Sequence, residues 1–328
     1  MLPSWCFVRR SAQAETEDNF NDITMIKKKH LLLLYLLLAA IPSTIIASRP
    51  KPKAGHVLVF GIDGWGSYSL AKASDIPNIR MLIQQGCYTE HKRSVLPSSS
   101  AVNWASMFNG SCPELHGYTE WGSKKPEIPS IELNNHGIFP TIFSLLREAR
   151  PDAVTGCLAE WDGIKHLVDS MAIDNFDQAK DWEKQSEQLC EMAERFIIEK
   201  KPTLLAVCWD QLDHTGHADG HDTPEYYQTL ARLDIQIGRL IQALKDAGIY
   251  DDTIIIVTAD HGGINKGHGG KTLAELETPF IICGKRIKQG GIINEPMMQF
   301  DTAATIAYIF GLNTPRSWIG RPVLTVFK

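Results

Sequence analysis

The chain has 328 residues, is 44% hydrophobic and carries a formal net charge of −5. That length and apolar content suffice for a substantial core, in one large domain or two ordinary ones. The acidic balance gives no electrostatic reason to expect nucleic-acid binding, which a basic patch or stripe usually marks, so an anionic ligand must be held by local chemistry.

At the N-terminus, Met25-Ile26-Lys27-Lys28-Lys29-His30 precedes an apolar run over residues 31–41, then Pro42 and the small residues Ala47-Ser48. Basic, apolar and small in that order is the pattern of a secretory signal. The apolar core has eleven residues, whereas about 20 are needed to cross a bilayer. The sequence therefore predicts a leader over residues 1–48, with Met25 as the start and the signal at about 25–48. The protein is expected to be secreted or periplasmic, with no stable membrane span after cleavage; anchoring by an uncleaved segment is the alternative. Residues 49–55, rich in Pro and Lys, read as a linker, and residues 56–328 as the functional domain. Cys6 falls in the leader; the other six cysteines form no CxxC pair, so zinc-ribbon and thioredoxin-like motifs are absent from the sequence.

Beyond the linker, short apolar runs alternate with longer helical patterns, which predicts an α/β domain with a largely parallel sheet. Strands are expected at 56–62, 153–158, 203–209, 253–258 and 278–282. Helices are expected at 178–199 and 226–247, the second with Leu230, Leu233, Ile237, Leu240, Ile241 and Leu244 on one face and Gly248 as its stop. Residues 115–139, rich in Pro, Gly and Asn and without periodicity, read as an excursion over the active face.

Reactive side chains follow three of these strands: Asp63 after the first, Asp210, Asp213, His214 and His217 after the third, Asp260 and His261 after the fourth. A fourth segment, "LPSSSAVNWASMF", opens an apolar helical pattern with three serines. Ligands of parallel α/β sheets bind outside the carboxyl ends of the strands, where these segments can converge. Singly, each residue reads as a turn, cap or surface group. Together they supply the mixed oxygen and nitrogen donors that zinc or manganese favours. The stretch "ADHGGINKGHGG" is not a phosphate cradle: Gly270-Lys271-Thr272 imitates the end of a Walker loop, but Asn265 stands where that loop needs glycine. A loop that folds His268 back towards Asp260 and His261 remains.

With Asp63 in "GIDG", Ser100 in "PSSSAVNW", Asp213 and His217 in "DHTGH" and Asp260-His261 in "ADHGG", the chain resembles the alkaline phosphatase superfamily, and within it the type I phosphodiesterase/nucleotide pyrophosphatase branch. The resemblance implies an alkaline-phosphatase-like sandwich, with a central, largely parallel β-sheet flanked by helices. It also implies two divalent ions, zinc or alternatively manganese. One would be held by Asp213, His217 and His268, the other by Asp63, Asp260 and His261, with Ser100 reaching the metal centre as nucleophile. His214 and His221 are the fallback ligands should His268 fail. Asn103 is expected to stabilise a phosphoryl oxygen, and Asn103 and Trp104 to contact the substrate; Trp65, Trp121 and Trp161 are further aromatic residues near these motifs.

A serine hydroxyl is a poor nucleophile at neutral pH, and a divalent cation favours its alkoxide. The expected activity is hydrolysis of a phosphodiester or pyrophosphate bond in a small phosphate-ester or nucleotide substrate, through a covalent seryl intermediate. No arginine is evident beside the nucleophile to clamp a monoester dianion, Arg93 being the nearest. A phosphomonoesterase is the alternative, a secreted non-catalytic binding protein of the same fold another, and a phosphonate hydrolase or phosphomutase a further variant. The sulfatase signature Cys/Ser-x-Pro-x-Arg is missing, since Ser98 and Ser100 are followed two residues on by Ser100 and Val102.

Overall fold

The computed structural model describes residues 51–180 and 184–328, so the expected leader lies outside the described residues. The runs HVLVFGI, LLAVCW and TIIIVT are too uniformly apolar for a sheet with a wet face, and they form its covered centre. Among the described residues nine strands make one sheet: β1 (His56–Ile62), β2 (Gly86–Arg93), β3 (Thr155–Ala159), β4 (Asn175–Gln178), β5 (Leu204–Trp209), β6 (Thr253–Thr258), β7 (Glu277–Gly284), and the two-residue β8 (Gly291–Ile292) and β9 (Met297–Met298). Their order is β4-β3-β5-β1-β6-β7-β2-β8, with β9 also on β2. The five strands from β4 to β6 are mutually parallel, and β7 runs antiparallel to both β6 and β2. The parallel centre and the strand at β7 agree with the sequence, while the antiparallel direction of β7 and the strand β2 beside it were not foreseen.

Alternate residues of β1 feed two cores. Val57 and Val59 pack with the helices Ser100–Asn109, Ile142–Ala149 and Asp301–Phe310 on one face; Leu58, Phe60 and Ile62 pack with Pro77–Gln85, Gln185–Lys200 and Pro224–Asp246 on the other. The helix Pro224–Asp246 starts where its chemistry dictates, with Thr223 accepting a hydrogen bond from the Tyr226 N–H and proline at the first position. The helix expected from residue 178 instead begins at Gln185, because Asn175–Gln178 pairs with β3 as an edge strand.

Residues 53–55, expected to be linker, are docked: the Lys53 N–H donates to the Ile309 carbonyl, Ala54 is buried, and the Gly55 N–H donates to Asp252. Residues 117–139 carry no helix or strand, as foreseen, and are tied to the segment after β3 through the Tyr118 hydroxyl on the His166 carbonyl and through Asn134 and His136 on Asp169. No described helix is long and apolar enough to cross a membrane. The six described cysteines are free thiols.

Register places the site. Ile62 pairs with Trp209 and Gly61 with Thr258, so β1, β5 and β6 end at one level. The residues just beyond them, Asp63, Asp210 and Ala259-Asp260, therefore rise from a single rim.

Candidate metal centre

From that rim the carboxylates and imidazoles meet. His261 Nε2 lies 3.4 Å from Asp63 Oδ1, 3.2 Å from Asp260 Oδ2 and 3.1 Å from Ser100 Oγ. On the other side of Asp213, whose Oδ2 lies 3.1 Å from His217 Nε2 and 3.6 Å from His268 Nε2, those two imidazole nitrogens are 3.1 Å apart. The helix Gln211–Asp219 sets His217 one turn after Asp213, on the same face. His268 returns on the glycine-rich loop, its ring stacked on that of His261 at 3.9 Å between centroids. The expected ligands thus come together in two overlapping groups, with Asp63, Asp260, His261 and Ser100 in one and Asp213, His217 and His268 in the other.

The hydrogen bonding around these rings is what a cation site requires. Nδ1 of His261 faces the Gly262 carbonyl, that of His268 the Ser98 carbonyl and that of His217 the Lys266 carbonyl. A carbonyl only accepts, so Nδ1 carries a proton in each ring, and in the neutral imidazole Nε2 turns a lone pair inward; when no ion lies between them, the Nε2 atoms of His217 and His268 instead donate to the Asp213 carboxylate. What the lone pair of His261 meets is also acceptor: Asp63 Oδ1 and Asp260 Oδ2 are buried and have no donor. Buried acceptors without a donor are rare and costly. A positive ion among them resolves the conflict, and the donor set of carboxylate oxygens and imidazole nitrogens fits zinc or manganese.

The ionisation pattern has the same cause. Burial raises the Asp63 carboxyl well above its usual range, and the charges of Asp260, Asp213 and Asp210 add to it. Burial likewise raises Asp260, against the pull of His261. Asp210 is pushed up to about 7 by burial, with Asp213 and Glu160 contributing. Asp213 is the exception: burial is outweighed by hydrogen bonds from His217, His221 and His268, which hold it well below the usual carboxylate range. The bond to Asp213 in turn raises His217 to about 9.

Two sequence assignments are corrected. Asn103 does not face the cluster: its Oδ1 accepts from the Val95 N–H at 2.7 Å, and its Nδ2 is surrounded by the carbonyls of Val95, Pro97 and Ser99. All its polar atoms are committed to the loop that delivers Ser100, so its side chain is a clamp on that loop and stabilises no phosphoryl oxygen. Trp104 is buried, and its indole N–H donates to Asp63 Oδ2 at 3.0 Å. It supports a carboxylate and offers no face to a substrate; Trp65 is buried too, whereas Trp121 is exposed. Of the fallback ligands, His214 is exposed on its helix, while His221 is buried beside Asp213.

Three supports escaped the sequence reading. Lys92 is 0% exposed, and its ammonium donates to the Ala259 carbonyl at 2.7 Å and to Gln299. Burial brings its pKa down to about 7, against the attraction of Asp260 and Asp301. Glu160, buried at the end of β3, accepts the N–H groups of Asp210 and Gln211 at 2.6 and 2.8 Å and so fixes the start of the helix bearing Asp213 and His217. Gly61 leaves room for the Trp104 ring, which a Cβ there would approach to 2.4 Å. Only the i, i+4 spacing of Ser100 and Trp104, which puts both on one helix face, was a usable sequence signal.

Comparison with known proteins places this geometry. Ectonucleotide pyrophosphatase/phosphodiesterase family member 5 of Homo sapiens is 24% identical over 242 residues, covering 71% of this chain and 50% of that protein. Bis(5'-adenosyl)-triphosphatase of Homo sapiens is 24% identical over 246 residues, covering 70% of this chain and 52% of that protein. The chain thus spans about half the length of these curated relatives. Among solved structures, an inactive murine ectonucleotide pyrophosphatase/phosphodiesterase 5 in complex with AMP superposes with a TM-score of 0.62 at 16% identity, over 81% of this chain and 96% of that one. A 2-O GAG sulfatase superposes with a TM-score of 0.66 at 14% identity, over 83% and 73% of the two chains, a likeness of fold. A sequence model of the type I phosphodiesterase / nucleotide pyrophosphatase family matches residues 57–277, from β1 to the first residue of β7. The chain therefore belongs to the type I phosphodiesterase/nucleotide pyrophosphatase family of the alkaline phosphatase superfamily.

Proposed function

We propose that the protein is a metal-dependent hydrolase of phosphodiester or pyrophosphate bonds, with Ser100 as nucleophile and two divalent ions as cofactors. The observation that carries the reading is the convergence of potential ligand atoms on one place: the Nε2 atoms of His217, His261 and His268, the orphaned oxygens of Asp63 and Asp260, and the Ser100 hydroxyl 3.1 Å from His261 Nε2. Asp213, His217 and His268 would hold one ion, and Asp63, Asp260 and His261 the other, with Ser100 beside it. When bound, the ions neutralise the carboxylates, favour the alkoxide of Ser100 and stabilise charge on the attacking and leaving oxygens.

Ser100 stands at the first position of its helix, where backbone N–H groups of the first turn have no partner within the helix. Those groups suit the non-bridging oxygens of a phosphoryl group, a task for which the Asn103 side chain is not free. Ser100 Oγ forms the bond to phosphorus as the bond to the leaving oxygen breaks, giving a phosphoseryl or nucleotidyl-seryl group that water then cleaves. A nucleotide substrate is supported by the printed names of the relatives and by the AMP in the murine structure. A diester or anhydride is favoured over a monoester dianion because the Arg93 guanidinium is engaged by Glu277 at 3.4 Å. The signal expected at residues 25–48 would export the enzyme to a secreted or periplasmic location.

Turnover of a nitrophenyl phosphodiester, a nitrophenyl monoester and a nucleotide anhydride by the zinc-loaded protein tests the reading. Faster turnover of the diester or anhydride is expected. A monoester preference would make the protein a phosphomonoesterase, and no turnover of any of the three by protein holding both ions would leave a binding protein.

A further inference from the structure

His221 has no place in the ligand sets above, yet the fold is shaped around its ring. The side chain is 0% exposed. A Cβ on Gly216 would come within 2.4 Å of the imidazole, and one on Gly263 within 2.2 Å, so the ring lies between two glycine backbones. Both the N–H of His221 and its Nδ1 face the Asn265 carbonyl, at 2.6 and 3.2 Å. Nε2 points at Asp213 Oδ1, 3.3 Å away. That oxygen is also crowded by Gly64, where a Cβ would approach it to 2.5 Å, whereas Oδ2 is the oxygen turned to His217 and His268.

The two oxygens of Asp213 are therefore divided, and the division assigns His221 its part. We propose that His221 is a positioning residue for the metal centre. Its Nε2–H donates to Asp213 Oδ1, locks the carboxylate plane and commits Oδ2 to the ion shared with His217 and His268. Nε2 is the donor because a carboxylate oxygen can only accept, whereas the Asn265 carbonyl that Nδ1 faces already accepts the His221 backbone N–H at 2.6 Å; this ring therefore takes the opposite tautomer from those of His217, His261 and His268, and the glycine walls fix it in place. Partners of this kind, one bond behind the ligand, hold a ligand's orientation and tune affinity. The proposal rests on the two-ion reading of the site.

Two substitutions separate this role from simple filling of space. His221→Leu keeps an apolar volume and removes the donor; His221→Gln returns an amide N–H to about the place of Nε2. The readouts are zinc content and affinity by chelator competition, and the visible spectrum of the cobalt-loaded protein. His221→Leu is expected to weaken one of the two ions by about ten- to a hundredfold and leave the other as in the wild type. His221→Gln is expected to recover most of that loss together with the cobalt spectrum. Should His221→Leu fail to fold, His221→Asn takes its place, since an asparagine amide reaches the Asn265 carbonyl but not Asp213. Wild-type affinity and spectrum in the donor-less variant would overturn the proposal. So would equal loss of one ion in the Leu (or Asn) and Gln variants, which would make His221 a ligand or a spacer. A wild-type protein that binds no divalent ion would overturn the metal-centre reading along with it, while two ions bound and no response to His221→Leu overturns this proposal alone.

Discussion

Replacing Asp63 by asparagine inverts the usual consequence of altering a buried site. Asp63 Oδ2 already has a donor in the Trp104 indole, but Oδ1 has none, and Asp63 shares one cluster with Asp260, whose Oδ2 has none either. In Asp63→Asn the amide oxygen keeps the indole bond and the amide N–H takes the place of Oδ1, turning two orphaned acceptors into a donor and an acceptor. An unsatisfied buried acceptor costs about 1–3 kcal/mol. At a pH above the raised pKa of Asp63, where the wild-type carboxylate is ionised, the metal-free variant is therefore expected to be more stable than the metal-free wild type by about 2 kcal/mol, which raises the melting temperature of a domain this size by roughly 4–6 °C. Zinc reverses the order. Each ion at a thousandfold excess over its dissociation constant adds about 4 kcal/mol, and the variant forfeits one of the two. Thermal unfolding followed by circular dichroism, in chelator and in zinc, reads both halves. An Asp63→Asn protein less stable than wild type in chelator, with the same zinc-induced shift, would refute the reasoning: Asp63 would then be a structural partner of Trp104 and no metal ligand.

Ser100→Ala should lower turnover by about 10³-fold or more with zinc content and melting temperature unchanged, because it removes the nucleophile and leaves the carboxylates and imidazoles in place; near-normal turnover would remove Ser100 from the mechanism. Gly61→Ala drives a Cβ to 2.4 Å from the Trp104 ring, so it should destabilise the fold by about 1–3 kcal/mol in urea and weaken zinc binding through the displaced indole; an unchanged zinc affinity would show that the Trp104 bond to Asp63 is dispensable. Glu160 is raised by burial from 4.5 to about 7. Its folded form keeps a proton the unfolded chain has released, so its contribution to stability is complete below about pH 4.5 and is lost as pH rises to about 7. Glu160→Gln lacks that dependence, so between pH 7.5 and 4.5 the wild type should gain about 3 kcal/mol relative to the variant in urea unfolding, and parallel pH profiles would contradict the buried carboxyl.

The sheet's centre was legible because β1, β5 and β6 are covered on both faces, and such strands read as unbroken apolar runs. β2 was not, because GCYTEHKR mixes exposed polar residues with buried ones and breaks its alternation at a bulge between Thr89 and Lys92. Its lysine, the least strand-core-like residue of the run, is the one fully buried. β4 was missed, and its last residue Gln178 read as the start of a helix, for a related reason: NFDQ is short, partly exposed and lies at the sheet edge.

In the site, the residues that converge were legible and their supports were not. A motif fixes residue types and order, but the direction of a side chain comes from the backbone beneath it. Asn103 sits four residues after Ser99, one turn up the helix, and from there its amide reaches back to the loop, where Val95, Pro97 and Ser99 present backbone groups. The loop that delivers Ser100 takes up that amide, so it is not available to a substrate. His221 and Glu160 act across gaps of 8 and 50 residues, and no periodicity links them to Asp213 or Asp210.

Strand order explains why Asp63 has other carboxylates on both sides. Along the chain β1 comes first, then β5, then β6, but in the sheet β1 lies between the other two. Asp63 consequently stands between the groups delivered by β5 and those delivered by β6. Its carboxylate oxygens come within one ligand set with Asp260 and His261 on one side, and with Asp210 and Asp213 on the other. Its neighbours raise it from both directions, Asp260 first and then Asp213 and Asp210. If the proposed two ions are bound, a residue so placed would sense both. Losing either ion should therefore alter the field at Asp63 and, through it, the hold on the other, so the two are expected to bind with mutual dependence. Removing the charge at position 63 should weaken that coupling as well as the local site.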